Sequence, residues 1–233
     1  MFLRVFVPPW RRGQQTVTDI SARLSQLDAC AVSDALDRLG LRGTVSGIVR
    51  LTTTRRICGR VITVKMGKDE GQPPASKHLG TTAIESAQPG DVIVMEQRTG
   101  IDAACWGGNL SLGATLRQVA GVIVDGPARD IDEAREHDFP IFARSSTPRT
   151  ARGRIVEVAT GVPITVGDVA VASGDFVVAD GTGVVFIAQG EVARVLDAAD
   201  AVTARERAMV IALREGKPIS EVMGTSYETM LKK

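Results

Sequence analysis

Three short runs dense in β-branched residues constrain this chain most: 59–66 (GRVITVKM), 91–95 (DVIVM) and 121–125 (GVIVD). Runs of Val and Ile with so little polar alternation are buried strands, and buried strands need helices or a second sheet over them. Helical patterns lie on both sides of these runs. From Thr16 onward Ile20, Leu24, Leu27 and Ala31 recur at three- to four-residue spacing, and Asp19, three residues after Thr16, completes a capping box. A second short helix is predicted over 33–39, stopped by Gly40. Between the second and third strands a helix is predicted over 110–119, with Asn109 as its N-cap after the Gly107-Gly108 turn.

After the third strand, Asp125-Gly126-Pro127 breaks the chain and a short helix follows, with Asp130 or Asp132 placed to cap it. Residues 140–187 carry repeated strand and turn signals, so most of that stretch is expected to be antiparallel sheet. From Glu191 a long helix carries Val192, Leu196, Ala199, Val202, Met209 and Leu213 on one stripe and ends before Gly216 and Pro218. No repeat or linker interrupts the pattern. The expectation is therefore one α/β domain over 1–233, made of N-terminal helices (16–40), an α/β core (41–190) and a C-terminal helix with its tail (191–233). A chain of 233 residues that is 44% hydrophobic can fill one sizeable core.

Charge narrows the partners. Lys and Arg number 28 against 27 Asp and Glu, so no strong field draws the chain to nucleic acid or to an anionic membrane. The N-terminal stretch, interrupted by Arg4, Pro8 and Pro9, lacks the apolar run of a signal peptide, and no later segment approaches a membrane span. Cys30, Cys58 and Cys105 are odd in number and widely spaced, which fits a reducing cytoplasm. There is no phosphate loop, GxGxxG, HExxH or GxSxG. His78 and His137 read as surface histidines, and Lys65 and Lys68 lack the surroundings that would make a Schiff-base nucleophile.

The chemistry concentrates in two segments, Trp106-Gly107-Gly108-Asn109-Leu110 and the run from Val122 to Asp130. Ligands of α/β proteins gather at strand C-terminal ends and helix N-termini, and here the two features fall together. The backbone amides of Gly108, Asn109 and Leu110 can hold a carboxylate, and Arg129 offers a planar fork for carboxylate or enolate oxygens. Asp130 can give one oxygen to a hard cation such as magnesium. The plainer alternative is a helix cap beside a surface salt bridge. Glu206 stands out separately, because it continues the apolar stripe of the last helix and would need a partner there.

VSDALDRLG (32–40), ITV (62–64), AQPGDVIVM (87–95), WGGNLSLGA (106–114), GVIVDGPARDIDE (121–133), FPIFARSSTPR (139–149) and SGDFVVADGTGVVFI (173–187) together resemble the RraA-like family. The resemblance implies a swivelling β/β/α architecture and either of two functions. One is that of the 4-hydroxy-4-methyl-2-oxoglutarate and 4-carboxy-4-hydroxy-2-oxoadipate aldolases, metal-dependent lyases that release pyruvate and also decarboxylate oxaloacetate. The other is that of non-catalytic regulators of RNase E, which lack the metal-binding aspartate of the Arg-Asp pair.

For the lyase, the resemblance implies Mg2+ or Mn2+ at Asp130, substrate held by Arg129 and the 108–110 amides, and Arg129 stabilising the enolate. It also implies Glu206 reaching the site of a neighbouring subunit in a homotrimer or hexamer. The family pattern has an aspartate, twenty intervening residues and then the Arg-Asp pair, and counting back from Arg129 across those twenty reaches Gly108. With that carboxylate missing, Asn109, Asp102 or Glu96 are the sequence neighbours that could offer an oxygen in its place.

Overall fold

The computed structural model describes residues 16–224 apart from 72, 74 and 75. The expectations for the first twelve residues and for the tail beyond 224 lie outside the described residues.

Helix α1 (Val17–Leu24) starts with the expected capping box: the Thr16 hydroxyl accepts from the Asp19 N–H at 3.1 Å, and the Asp19 carboxylate accepts from the Thr16 N–H at 3.2 Å. Helix α2 (Ala29–Leu39) begins at Ala29 rather than at Ser33, because Asp28 caps it by accepting from the Ala31 N–H at 2.8 Å. It ends, as predicted, at a left-handed Gly40.

Strands β1 (Thr44–Val45) and β2 (Val49–Arg50) are short and lie at opposite ends of a curled nine-stranded sheet. At its centre β3 (Ile57–Lys68), β4 (Val92–Glu96), β5 (Gly121–Ala128) and β6 (Ile141–Ser146) run parallel. The curl comes from β3, whose twelve residues change partners along their length. Its first four pair antiparallel with β10 (Phe176–Ala179), Val61 to Lys65 pair with β4, and Val64 to Lys68 pair with β7 (Ile155–Thr160). Strand β11 (Val184–Ile187) extends the sheet beyond β10, and β8 (Ile164–Val166) with β9 (Val169–Val171) forms a separate hairpin. The expectation that most of 140–187 is antiparallel therefore holds: β7 to β11 pair so throughout, while β6 is antiparallel to β2 and parallel to β5.

The central strands are buried on both faces. Ile93, Met95, Val122 and Val124 point into an apolar cluster under α3 (Thr81–Ser86), α4 (Gly108–Leu116) and α5 (Ile131–Glu136), which holds Trp106 and Phe139. Val92, Val94 and Ile123 point the other way, into a cluster closed by Val166 and Val171 of the β-hairpin. A third cluster packs α1, α2 and α6 (Val192–Arg214) over β10 and β11. The stripe on α6 is buried only as far as Val202; Leu213 is exposed, together with Val210 and Ile211.

Strand β5 does not break at Asp125-Gly126-Pro127 but continues to Ala128 through a register shift between Val124 and Pro127. Gly126 permits this, because a Cβ there would lie 2.7 Å from the Gln97 carbonyl oxygen. The outcome matters for chemistry: the strand delivers Arg129 and Asp130 directly from the sheet.

A similar close approach fixes β3 against the turn before β4, where a Cβ on Gly59 would overlap the Gly90 carbonyl oxygen. Gly59→Ala should lower stability by about 1–3 kcal/mol, the usual cost of overpacking, measured by urea unfolding. An unchanged midpoint would contradict this close approach.

Candidate active site

The site is assembled where the loop after β4 runs beside the end of β5. The Cys105 N–H donates to the Pro127 carbonyl at 3.3 Å, and the Arg129 N–H donates to the Trp106 carbonyl at 2.9 Å. Trp106 anchors the loop from inside: its indole N–H donates to the Ser111 hydroxyl at 3.0 Å and its ring stacks on Phe139 at 5.8 Å. These contacts bring the N-terminus of α4 against the Arg129-Asp130 pair.

Both expected caps are corrected here. Helix α4 starts at Gly108, not Leu110, so Asn109 lies inside its first turn and the N-cap residue is Gly107, which offers no side chain. Asp130 holds the N-cap position of α5, yet its carboxylate does not cap that helix, and Asp132 pairs instead with Arg135 at 2.7 Å. The Asp130 carboxylate turns to α4, where Oδ2 accepts from the Gly108 N–H at 3.0 Å. The same carboxylate accepts from Arg129 Nε at 3.1 Å. Its backbone is held left-handed at φ 54, a conformation that aspartate tolerates better than most residues.

The two glycines have a steric reason. A Cβ on Gly107 would lie 2.6 Å from Asp130 Oδ2, and one on Gly108 would overlap the carboxylate of Glu133, with its Cδ 2.8 Å away. Glu133 comes from the first turn of α5 and was not among the residues that the sequence singled out. The only signal was its spacing, three residues after Asp130.

Gly108, Asn109, Leu110, Arg129 and Asp130 line one cavity of about 260 Å³. His78 and Arg152 stand at it as well, so His78 is exposed at the rim of this cleft rather than on an unrelated surface. Glu206 is elsewhere within one chain. It is half-buried on α6, where burial and then the negative charges of Asp28 and Asp34 push its carboxyl above the ordinary range. The two flanking carboxylates do not reach in: Glu96 accepts from the Thr165 N–H at 3.0 Å, and Asp102 pairs with Arg149 at 3.3 Å on the surface.

Chemically, the cavity offers hydrogen-bond donors and one carboxylate set among them. The terminal nitrogens of Arg129 make no hydrogen bond among the described residues, so the outer edge of the fork is open to a ligand. The Asn109 and Leu110 amides, in the first turn of α4, have no intrahelical acceptor. No three His, Cys, Asp or Glu side chains converge as a metal cage among the described residues. Asp130 still fits a cation of the magnesium type: Arg129 Nε is the one donor to Oδ1, and such ions keep most of their waters.

Cys105 borders the same cavity but is fully buried, and burial pushes its thiol up to about 12. At pH 8 its thiolate fraction is about one in ten thousand. A thiol reagent at that pH should therefore spare Cys105 in the folded chain and label the exposed Cys30. Rapid labelling that survives Cys30→Ser and maps to Cys105 would contradict this burial.

Residues 29–186 match the family model described as RraA-like, Aldolase/RraA. A Halalkalibacterium halodurans protein provisionally named 4-hydroxy-4-methyl-2-oxoglutarate aldolase is 32% identical over 212 residues, which cover 86% of this chain and 94% of that one. The chain spans only 33% of the length of Protein DlpA from Legionella pneumophila, to which it is 24% identical.

Among solved structures, an uncharacterised protein from Pseudomonas syringae superposes with a TM-score of 0.80 at 28% identity, over 91% of this chain and all of that one. Streptomyces coelicolor RraAS2, described as an unusual member of the RNase ES inhibitor RraA family, gives 0.73 at 26% identity, over 83% and 96%. The mixed α/β fold with a curled sheet agrees with these neighbours and with the architecture expected from the sequence.

Proposed function

The chain belongs to the RraA-like family, and on that premise we propose that it is a divalent-metal-dependent lyase that cleaves a 4-hydroxy-2-oxo acid to pyruvate. The observation that carries this reading is the orientation of the Arg-Asp pair, with the free edge of Arg129 and the Asp130 carboxylate both bordering the cavity at the α4 N-terminus. The substrate class follows from relatives that bear the aldolase name.

The pyruvoyl carboxylate is bound by the Asn109 and Leu110 amides, where the helix dipole favours an anion. Arg129 donates to the 2-oxo oxygen. When a base takes the proton of the 4-hydroxyl, the C3–C4 bond breaks and its electron pair passes into the 2-oxo group, giving an enolate. Arg129 is already positioned against the oxygen that becomes negative. Bound at Asp130, magnesium or manganese would supply Lewis-acid polarisation of substrate oxygens. Oxaloacetate decarboxylation is proposed at the same site, since it passes through the same enolate.

Glu206 is proposed to assist the water that acts as base, as the resemblance implies, and its carboxyl, pushed above the ordinary range by burial and by Asp28 and Asp34, suits that part. It lines no wall of this cavity, so its approach requires another copy of the chain, and a homotrimer or hexamer is proposed with it. A cytoplasmic setting suits the three free cysteines. No helix among the described residues is long and apolar enough to cross a membrane. The alternative, a non-catalytic regulator, is suggested by the likeness to RraAS2. Asp130 argues for the enzyme, because the resemblance implies that the regulators lack the aspartate of the Arg-Asp pair.

Two variants separate the halves of the pair. Arg129→Ala should lower kcat about a hundred- to a thousandfold, as losses of donors to developing oxyanions do, and Arg129→Lys should recover little. Asp130→Ala should raise the metal concentration needed and be partly rescued by excess metal. Near-parental turnover in both alanine variants would reduce the pair to a helix cap with a salt bridge.

Assembly has its own test. Co-assembling Asp130→Ala chains with Glu206→Ala chains should recover part of the activity that each lacks alone. No recovery in mixed oligomers would confine Glu206 to a structural part.

A further inference from the structure

We propose that Arg152 sets the specificity of this site by binding a second carboxylate, one carried on the C4 side of the oxo-acid. The inference rests on the lyase reading and adds a residue to it. Among the described residues, the ionisable side chains that line the cavity are His78, Cys105, Arg129, Asp130 and Arg152. Four of these carry no charge or have a partner. Cys105, pushed up to about 12, is a neutral thiol; Asp130 and Arg129 answer each other through Nε; and His78 Nδ1 lies 2.9 Å from the Leu79 carbonyl oxygen. The outer edge of Arg129 and the α4 amides serve the pyruvoyl end in the reading above. Arg152 is the charge left over.

Its backbone is fixed while its side chain is free. The loop 147–154 is tied to both arms of the site: the Thr147 N–H donates to the Ala128 carbonyl at 2.9 Å, and the Ala104 N–H donates to the Arg149 carbonyl at 3.0 Å. Ala151 is buried in the cluster that holds Trp106 and Leu110, and its carbonyl accepts from the Ile155 N–H at 2.9 Å. The three arginines of this loop then differ. Arg149 pairs with Asp102, and Arg154 Nη1 donates to the Thr150 and Arg152 carbonyls at 3.3 and 3.4 Å, but the Arg152 guanidinium makes no hydrogen bond or ion pair among the described residues. Arg152 also lines a neighbouring cleft of about 490 Å³, whose carboxylates are bonded elsewhere: Asp69 accepts from the Gly71 N–H at 3.0 Å and Glu157 from the Gly80 N–H at 2.7 Å. An unpaired guanidinium beside a cavity for an oxo-acid is matched by a second carboxylate, because its fork takes two oxygens at once. The fragment released with pyruvate is then itself an acid.

Two substrates that differ only in that group test this: 4-hydroxy-4-methyl-2-oxoglutarate, and 4-hydroxy-4-methyl-2-oxopentanoate, in which a methyl replaces the far carboxylate. Pyruvate release from each is measured with magnesium present. The parent should favour the diacid by about tenfold or more in kcat/KM, the size of a hydrogen bond to a charged group. Arg152→Ala should lower kcat/KM for the diacid about ten- to a hundredfold, mainly through KM, and bring the two substrates within a few-fold of each other. Arg152→Lys should recover part of the preference, since the charge returns without the fork. Equal use of the two acids by the parent, or a preference that survives Arg152→Ala, would overturn the inference with the lyase reading intact. A loss in kcat that is the same for both acids would make Arg152 structural and overturn it too. A parent that cleaves neither acid also overturns it, and the lyase reading falls with it only if the pyruvate methyl group shows no exchange in D2O.

Discussion

A single carboxylate ties the site together. Asp130 stands at the junction of β5 and α5, yet its oxygens reach the Gly108 N–H at the start of α4 and Nε of Arg129 beside it. The junction of β5 and α5 is therefore tied to α4 by one side chain. Holding a non-glycine residue left-handed costs about 1–3 kcal/mol, and a hydrogen bond to a charged group contributes about 1.5–3 kcal/mol, so the bonds that Asp130 makes are of the size needed to offset its own backbone strain. The strain and the bonds exist because the residue serves α4 rather than its own helix.

That arrangement also sets the electrostatics. By accepting from Nε, Asp130 orients the Arg129 guanidinium, whose outer nitrogens bond none of the described residues, and Arg129 borders the same cavity as the first turn of α4. Under the proposed lyase function, negative charge developing on a bound oxo-acid would meet donors whose directions are set beforehand, so little reorganisation would be needed during reaction. The buried Trp106 and Phe139 stack beneath the loop, keeping its backbone pressed to β5 while the polar edge faces the cleft.

Much of this was legible in the sequence, for local reasons. The three β-branched runs could hardly be other than buried strands, and the alternation of Ile93 with Val94, and of Ile123 with Val124, between two clusters is what such runs imply. Thr16 with Asp19 and the stop at Gly40 depend only on near neighbours, so they were readable too. Arg129, Asp130 and the 108–110 segment stood out because they follow a strand and open a helix. What was missed was not local. Asp130 looked like the cap of its own helix, since sequence shows which residue precedes a helix but not that its side chain bonds 22 residues away. Pro127 read as a break because a bulge that lets a strand continue past it depends on the neighbouring Gln97 backbone. Glu133 was passed over because its carboxylate fills space left by the missing side chain of Gly108 on another helix. Asp102 and Glu96 were near in sequence and are turned elsewhere, to Arg149 and to β8.

The central claim is that Arg129 and Asp130 stabilise a pyruvate enolate, and it can be tested without knowing the natural substrate. Proton NMR of pyruvate in D2O, with the protein and magnesium, reads enolate formation as loss of the methyl signal by exchange. The account predicts exchange well above that of magnesium alone, abolished by a chelator and by Arg129→Ala. Exchange that is no faster with the folded protein than with magnesium alone would contradict it.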